Sequence, residues 1–414
     1  MKKILLTVCA SAALALFSPV RAASPFDVTV TSTTVPTVTQ GYSSFPSLLS
    51  DVLNANGPFV NFASTNFNAK VTFLGVPNAV QANSNSAGTS VNLQIPITGF
   101  SQSFNGPTRS DVETQIKNFF LQNGSSVVGN FLAAIAKQSA VAVTDGNPNS
   151  STAAMASSTF YSQGFTPTGE LPFEGVSTAS NTGGSTSRFT GLGIGLDSGQ
   201  FKAGGIKGNN SDMSIPFGYR LTDRVSLAAS IPINYLDVEG AKIYGIGFNL
   251  AVPVRIQIMD HDNPLNWRLT PFVGISARGS EDLAGGGVIW SPGLTNTFDY
   301  RVNSKLILGL VSQISYDKSI AVKYSSYKFD PQVDQEIVKN GVRAVTPLTS
   351  RLIMDGFIIE TNFLKAAAIK NYTTFGTSFS YHLTQKLNVT VGANYDTGPQ
   401  YTDWSLGLSS AWKF

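Results

Sequence analysis

Few side chains in this 414-residue sequence have types and spacings that could do chemistry. There are only two histidines. His261 stands in Asp260-His-Asp262, three oxygen or nitrogen donors in a row. Adjacent donors of this kind seldom converge on one ion, so no metal site is expected there. His382 follows Tyr381 in a polar turn, where an imidazole reads as a boundary residue. Gly193-Ile-Gly195 opens like a dinucleotide fingerprint. Position 198 is Ser where the third glycine belongs, however, and no helix is expected after it. The arginines are more informative. Arg255, Arg268, Arg278 and Arg343 fall among Gly, Ser, Asn and Thr. If that face lines a pore, its guanidinium groups can set an anion preference. The other reading is that they pair with acids on loops or on the amino-terminal segment. No catalytic residue, no metal and no cofactor is expected.

The elements that would carry those arginines follow one rule. Tyr244, Ile246, Phe248, Leu250, Val252, Val254 and Ile256 alternate with Gly245, Gly247, Asn249, Ala251, Pro253 and Arg255. Leu387, Val389, Val391, Ala393 and Tyr395 alternate with Asn388, Thr390, Gly392 and Asn394. This is the period of two that marks strands. In a soluble sandwich the face away from the core carries charge, whereas here it is small and uncharged. Aromatics such as Tyr219, Tyr235, Trp267, Tyr300 and Tyr381 sit near segment ends, the place of an interfacial girdle. Tyr219-Arg-Leu-Thr-Asp-Arg-Val-Ser-Leu227 is echoed by Tyr381-His-Leu-Thr-Gln-Lys-Leu-Asn-Val389 and, more loosely, by Tyr300-Arg-Val-Asn-Ser-Lys-Leu-Ile-Leu308. Each reads as a strand end, a tight turn and a new strand. Anchored on them, twelve strands are predicted near 188–197, 211–220, 225–236, 242–257, 266–278, 286–301, 306–317, 337–346, 351–363, 371–382, 387–395 and 402–414.

Composition points the same way. Lys2 and Lys3 precede an apolar run from Ile4 to Leu16, and Val20-Arg-Ala22 offers small residues for cleavage, so residues 1–22 read as a secretory signal. Beyond it, 25 basic residues balance 25 acids, and no cysteine remains. That excludes a disulfide framework, and no basic run suggests nucleic acid. Charged residues make up 13% of the chain, where about 25% is usual for soluble domains. No stretch of 18 apolar residues follows the signal, so no helix is expected to span a membrane. The remaining membrane solution is a closed barrel, in which every backbone group pairs between strands.

The last residues carry a resemblance. Trp404, Leu406, Leu408, Trp412 and Phe414 form one apolar face, and Leu406-Gly-Leu-Ser-Ser-Ala-Trp-Lys-Phe414 resembles the C-terminal signal of Gram-negative outer-membrane barrels. The resemblance implies that the barrel-assembly machinery reads this strand, that the partner is outer-membrane lipid, and that the location is the cell outer membrane. It extends over 188–414 only as architecture, a roughly twelve-stranded class, and names no activity.

Residues 23–187 differ, with four bases and seven acids. A helix is predicted from Phe45 to Asn54 and strands at Lys70–Leu74 and Ser90–Ile95. A capping box at Ser110-Asp-Val-Glu113 opens a helix that Gly124 ends, and a second helix covers about Ser126–Ala140. From Asp145 to Ser187 the chain reads as loop. The expected fold is thus an all-β transmembrane barrel at 188–414 behind a small mixed α/β domain at 23–187. That domain could be a plug in the lumen, a periplasmic domain or a short surface passenger. The expected role is a passive channel for small solutes, partly occluded by the domain. Surface display or secretion, as in autotransporters, and a structural or adhesive barrel stand as alternatives. No enzyme is expected.

Overall fold

A computed structural model describes residues 24–53, 57–62, 65–163, 189–258, 263–283, 285–324, 327–384 and 386–413. The signal-like start, Asp260-His-Asp262 and Phe414 lie outside the described residues.

Alternation closes the second half of the chain into a barrel. Its strands are β7 (Phe189–Ala203), β8 (Ile206–Arg220), β9 (Ser226–Val238), β10 (Ala241–Ala251) with its continuation β11 (Val254–Gln257), β12 (Leu265–Ser280), β13 (Gly285–Asn303) and β14 (Leu306–Ile320). A small hairpin, β15 (Val322–Tyr324) and β16 (Tyr327–Phe329), precedes β17 (Asp334–Pro347). Then follow β18 (Leu352–Phe363), β19 (Asn371–His382), β20 (Leu387–Gly398) and β21 (Tyr401–Lys413). Every wall pairing is antiparallel. β10 pairs with β12 across the Pro253 interruption, and β21 pairs with β7 from Tyr401↔Ala203 to Lys413↔Gly191, which closes the ring. Twelve strands result, as the alternation predicts. Several run further than expected, β7 by six residues past 197, because their polar ends still pair across the wall.

The outer face is the greasy one. Tyr244, Ile246, Phe248 and Leu250 on β10 are exposed, while Asn249 and Ala251 on either side of Leu250 are buried. The same holds for Leu406, Leu408 and Trp412 on β21. A belt of exposed apolar side chains around a barrel with no free edge is the outer-membrane type of barrel, facing lipid rather than water.

An even strand count puts both ends of the barrel, Phe189 and Lys413, at one rim, here the near mouth. The connections at 221–225, 304–305 and 348–351 share that rim. The far mouth carries the longest connection, 321–333, and a seven-residue loop at 364–370.

Residues 26–105 form a six-stranded antiparallel sheet in the order β2-β1-β3-β4-β5-β6. Its strands are β1 (Phe26–Ser32), β2 (Val38–Tyr42), β3 (Phe67–Phe73), β4 (Val76–Ser84), β5 (Ser90–Ile95) and β6 (Phe100–Asn105). Helix α1 (Phe45–Leu53) falls where it is predicted. The helix pair expected at 111–140 is one helix, α2 (Arg109–Ala136), capped by Thr108 and Asp111. It passes straight through Gly124 and Gly129. Gly129 earns its place by contact, because a Cβ there would lie 2.4 Å from the carbonyl oxygen of Asp330 in the far-mouth connection. A third helix, α3 (Ser151–Gln163), occupies a stretch read from sequence as loop.

Candidate functional site

The site is the lumen, and part of the amino-terminal segment reaches into it. The sheet and α2 stand at the far mouth, outside the lumen. Phe45 N donates to Asp282 O at 2.7 Å, and Gly75 abuts Ile206 beside the β7–β8 turn. Phe26, Phe73, Leu74 and Val76 of the sheet join Phe201, Ile206, Leu236 and Ile369 of the barrel in one buried apolar cluster. This collar packs the sheet domain against the far mouth. Helix α2, over the residues expected to form a helix pair, stands at the far mouth and not in the lumen. The reason is chemical: α2 offers the apolar residues Ile135 and Ala136 to the collar, whereas the lumen wall is polar.

What enters the lumen is the turn at 137–150 and helix α3. Asp145 is buried at the entrance, where Thr152 Oγ1 donates to it at 2.8 Å and Gln335 Nε2 at 3.3 Å. Burial holds its carboxyl above the ordinary value. Helix α3 is mostly small residues, Ser, Thr and Ala, which lets a helix fit beside the wall. It lies against β9, β10, β12, β13, β14 and β17. Met155 sits in a notch left by two wall glycines: a Cβ on Gly274 would lie 2.7 Å from its sulfur, and one on Gly247 3.1 Å from its methyl. Phe160 packs with Val311, Phe357 and Ile359. Polar wall groups satisfy the rest. Gln313 Nε2 donates to Ala156 O at 2.8 Å, Asn249 Nδ2 to Ser158 Oγ at 3.0 Å, and Lys339 Nζ to Ser157 Oγ at 2.9 Å.

The four arginines singled out from sequence all belong to inward positions, but they do not form one anion path. Arg343 pairs with Asp299 at 2.7 Å, with both side chains buried. Arg278 Nη1 donates to Asn149 O of the entering turn at 2.7 Å. Arg255 and Arg268 stand opposite one another on β11 and β12 near the other rim, both engaged with neighbours. Only Arg278 reaches the remaining space.

That space is a cavity of about 350 Å³ between α3 and the wall formed by β7, β8, β20 and β21. Four carboxylates line it: Asp197, Asp212, Asp396 and Asp403. None was singled out from sequence, although alternation contains the signal. Leu192, Ile194 and Leu196 face lipid, so Asp197 must face in, and Trp404 fixes Asp403 in the same way. Tyr161 from α3 and Tyr372 and Tyr401 from the wall add three rings.

No family model matches the chain, and no curated protein matches it. Among solved structures, an outer-membrane channel from Pseudomonas putida F1 is similar at 14% identity and a TM-score of 0.42, covering 57% of this chain and all of that one. The β domain of the Bordetella autotransporter BrkA is similar at 11% identity and a TM-score of 0.44, covering 55% of this chain and all of that one. The translocator domain of the autotransporter NalP from Neisseria meningitidis is similar at 13% identity and a TM-score of 0.37, covering 57% of this chain and 90% of that one.

Proposed function

We propose that the protein is an outer-membrane channel for small solutes, held closed by its own amino-terminal segment, and not an enzyme. The observation that carries this reading is the docking of α3: three wall side chains from β10, β14 and β17 hold it by hydrogen bonds inside the barrel. The collar of apolar residues at the far mouth supports it. Export through a cleaved signal and assembly through the closing strand β21 complete the reading. Deleting residues 23–180 behind an intact signal tests it. The expected result is an assembled barrel whose single-channel conductance in planar bilayers is raised several-fold. A full-length protein that already conducts as widely would sink the occlusion.

A second reading has its own observation. The sheet domain and the start of β7 are at opposite mouths, and the turn at 137–150 and α3, which follow the domain in sequence, lie in the lumen. With the short turns at the periplasmic rim and the long connection outside, the domain is displayed on the cell surface. Protease added to intact cells should then clip the domain, for instance at the exposed turn residues 85–87. Protection from protease in intact cells, with cleavage after lysis, would reject display.

A further inference from the structure

The acidic wall poses a problem that the barrel alone does not solve. Asp197 and Asp212 are register partners on β7 and β8. Asp396 and Asp403 are register partners on β20 and β21. Because β21 also pairs with β7, the two carboxylate pairs stand on adjoining hairpins of one wall. Like charges directly opposite in an antiparallel pair destabilise the sheet. Here two such pairs lie side by side. Asn234 donates to Asp212 at 2.6 Å, Ser405 to Asp197 at 3.2 Å and Asn210 to Asp403 at 2.9 Å, but these bonds carry no positive charge. None of the four is in an ion pair with a described residue. Asp403 is only 7% exposed, and its Oδ1 has no hydrogen-bond partner, as is true of Asp396 Oδ1.

Two cations share the cavity: Arg278 donates to Asn149 O and lies within electrostatic reach of Asp212, and Lys339 donates to Ser157 and Tyr372 and lies within electrostatic reach of Asp396, which leaves Asp197 and Asp403 without a cation of their own. By formal count, four carboxylates against two cations leave the lining with two acids in excess. The carboxylates are spread along two hairpins, and no cluster of three metal-ligating side chains exists among the described residues. The rest of the lining mixes Asn, Ser and Thr side chains with rings and hydrocarbon, the latter from Tyr161, Tyr372, Tyr401, Pro216, Pro232 and Leu236. Aromatic faces and apolar walls suit an alkylammonium better than a hydrated metal ion. The volume, about 350 Å³, is at the lower end of the small-molecule range.

We infer that this cavity binds a small organic dication of the diamine class, its ammonium groups on the two aspartate pairs and its methylenes against the tyrosines. The inference rests on the channel reading, for which it names the class of solute.

Calorimetric titration of full-length protein in detergent with putrescine at low salt tests it, with succinate and Mg²⁺ as comparison probes. Saturable binding of putrescine and none of succinate is expected. The double variant Asp197→Asn with Asp403→Asn should bind about tenfold more weakly or worse, since each change removes a buried charge partner. Asp403→Glu keeps the charge and should retain binding. Heat-modifiable mobility on gels checks that each variant is folded. No putrescine binding, equal binding of succinate, or an unaffected double variant overturns the inference. Displacement of putrescine by equimolar Mg²⁺ would make this an inorganic-ion site and overturn the diamine class. Binding is measured on the closed protein, so it can fail while the deletion still opens the barrel, and the reverse.

Discussion

The lumen has two walls with opposite solutions to the same constraint. From β9 to β17 the wall is covered: α3 lies on it, Met155 fills its glycine notch, and a buried ion pair, Arg343 with Asp299, lies within it. From β20 through β8 the wall is bare, and its four carboxylates have amide, hydroxyl or no partners at all. A covered wall must satisfy its groups with protein, because a buried unpaired charge is expensive. A bare wall is free to keep groups for something that arrives.

The largest test of that contrast is charge removal on each side. Arg343→Met leaves the Asp299 carboxylate buried without its partner and should cost about 3–5 kcal/mol in urea unfolding from lipid vesicles. Asp403→Asn on the bare wall removes a like-charge neighbour and should be neutral or stabilising. Comparable losses from both would erase the difference between the walls.

Next comes the lipid face of the covered wall. Leu250→Arg places a charge on the outer belt and should cost about 2–4 kcal/mol if it lies near the midplane. Asn249→Arg points inward, but Asn249 is fully buried beneath Ser158, so its penalty should fall on α3 docking. Repeating Asn249→Arg in the 23–180 deletion should make it nearly harmless. A large loss there would contradict the register.

Filling the notch gives a smaller effect. Gly274→Leu overpacks the site of Met155 and should cost about 1–3 kcal/mol, with α3 partly displaced and conductance raised. Gly392→Leu on the bare side, where a Cβ meets only ordinary to slightly tight contacts, should raise no conductance. Equal currents from the two would show that α3 has no preferred wall.

The smallest effect is at the far mouth, on neither wall. Glu239 lies in the β9–β10 turn with Oε2 buried and unpartnered, and burial raises its carboxyl to about 7. The nearby Asp27 charge adds to the rise. The folded state therefore holds a proton that the unfolded state has released above its ordinary value of about 4.3. Stability from this group is complete below that value and falls as pH rises to about 7. Glu239→Gln should flatten the melting temperature between pH 5 and pH 8, an effect of well under ~1 kcal/mol because the group is partly exposed. An unchanged slope would place the collar's pH response elsewhere.

Much of this was legible in the residues themselves. Alternation by two needs nothing beyond neighbouring side chains, so all twelve strands and the lipid-facing set on β10 and β21 follow from it. Phe45–Leu53 and Ser90–Ile95 are local patterns too. The strand expected at Lys70–Leu74 falls on β3, but the rest of the amino-terminal sheet was not legible: β2 and β6 are mostly Ser, Thr, Gln and Gly, with little apolar contrast between faces. Helix α3 was hidden for a related reason. Its small residues carry no amphipathic stripe, and its helical state is stabilised by a wall up to 182 residues away in sequence, as at Lys339 and Ser157.

The sequence by itself determined the barrel, its greasy face and which side of each strand turns inward, because those depend on the two-residue repeat of an extended chain. Only the tertiary structure decided which inward residues meet. Arg343 finds Asp299 across β14, although 44 positions separate them, and Asp197 comes beside Asp403 only because β21 closes on β7. Alternation fixes direction and says nothing about neighbours around a ring. The place of the amino-terminal domain was likewise beyond local pattern, since the collar is built from apolar residues contributed by the sheet, α2 and several far-mouth strand ends at once.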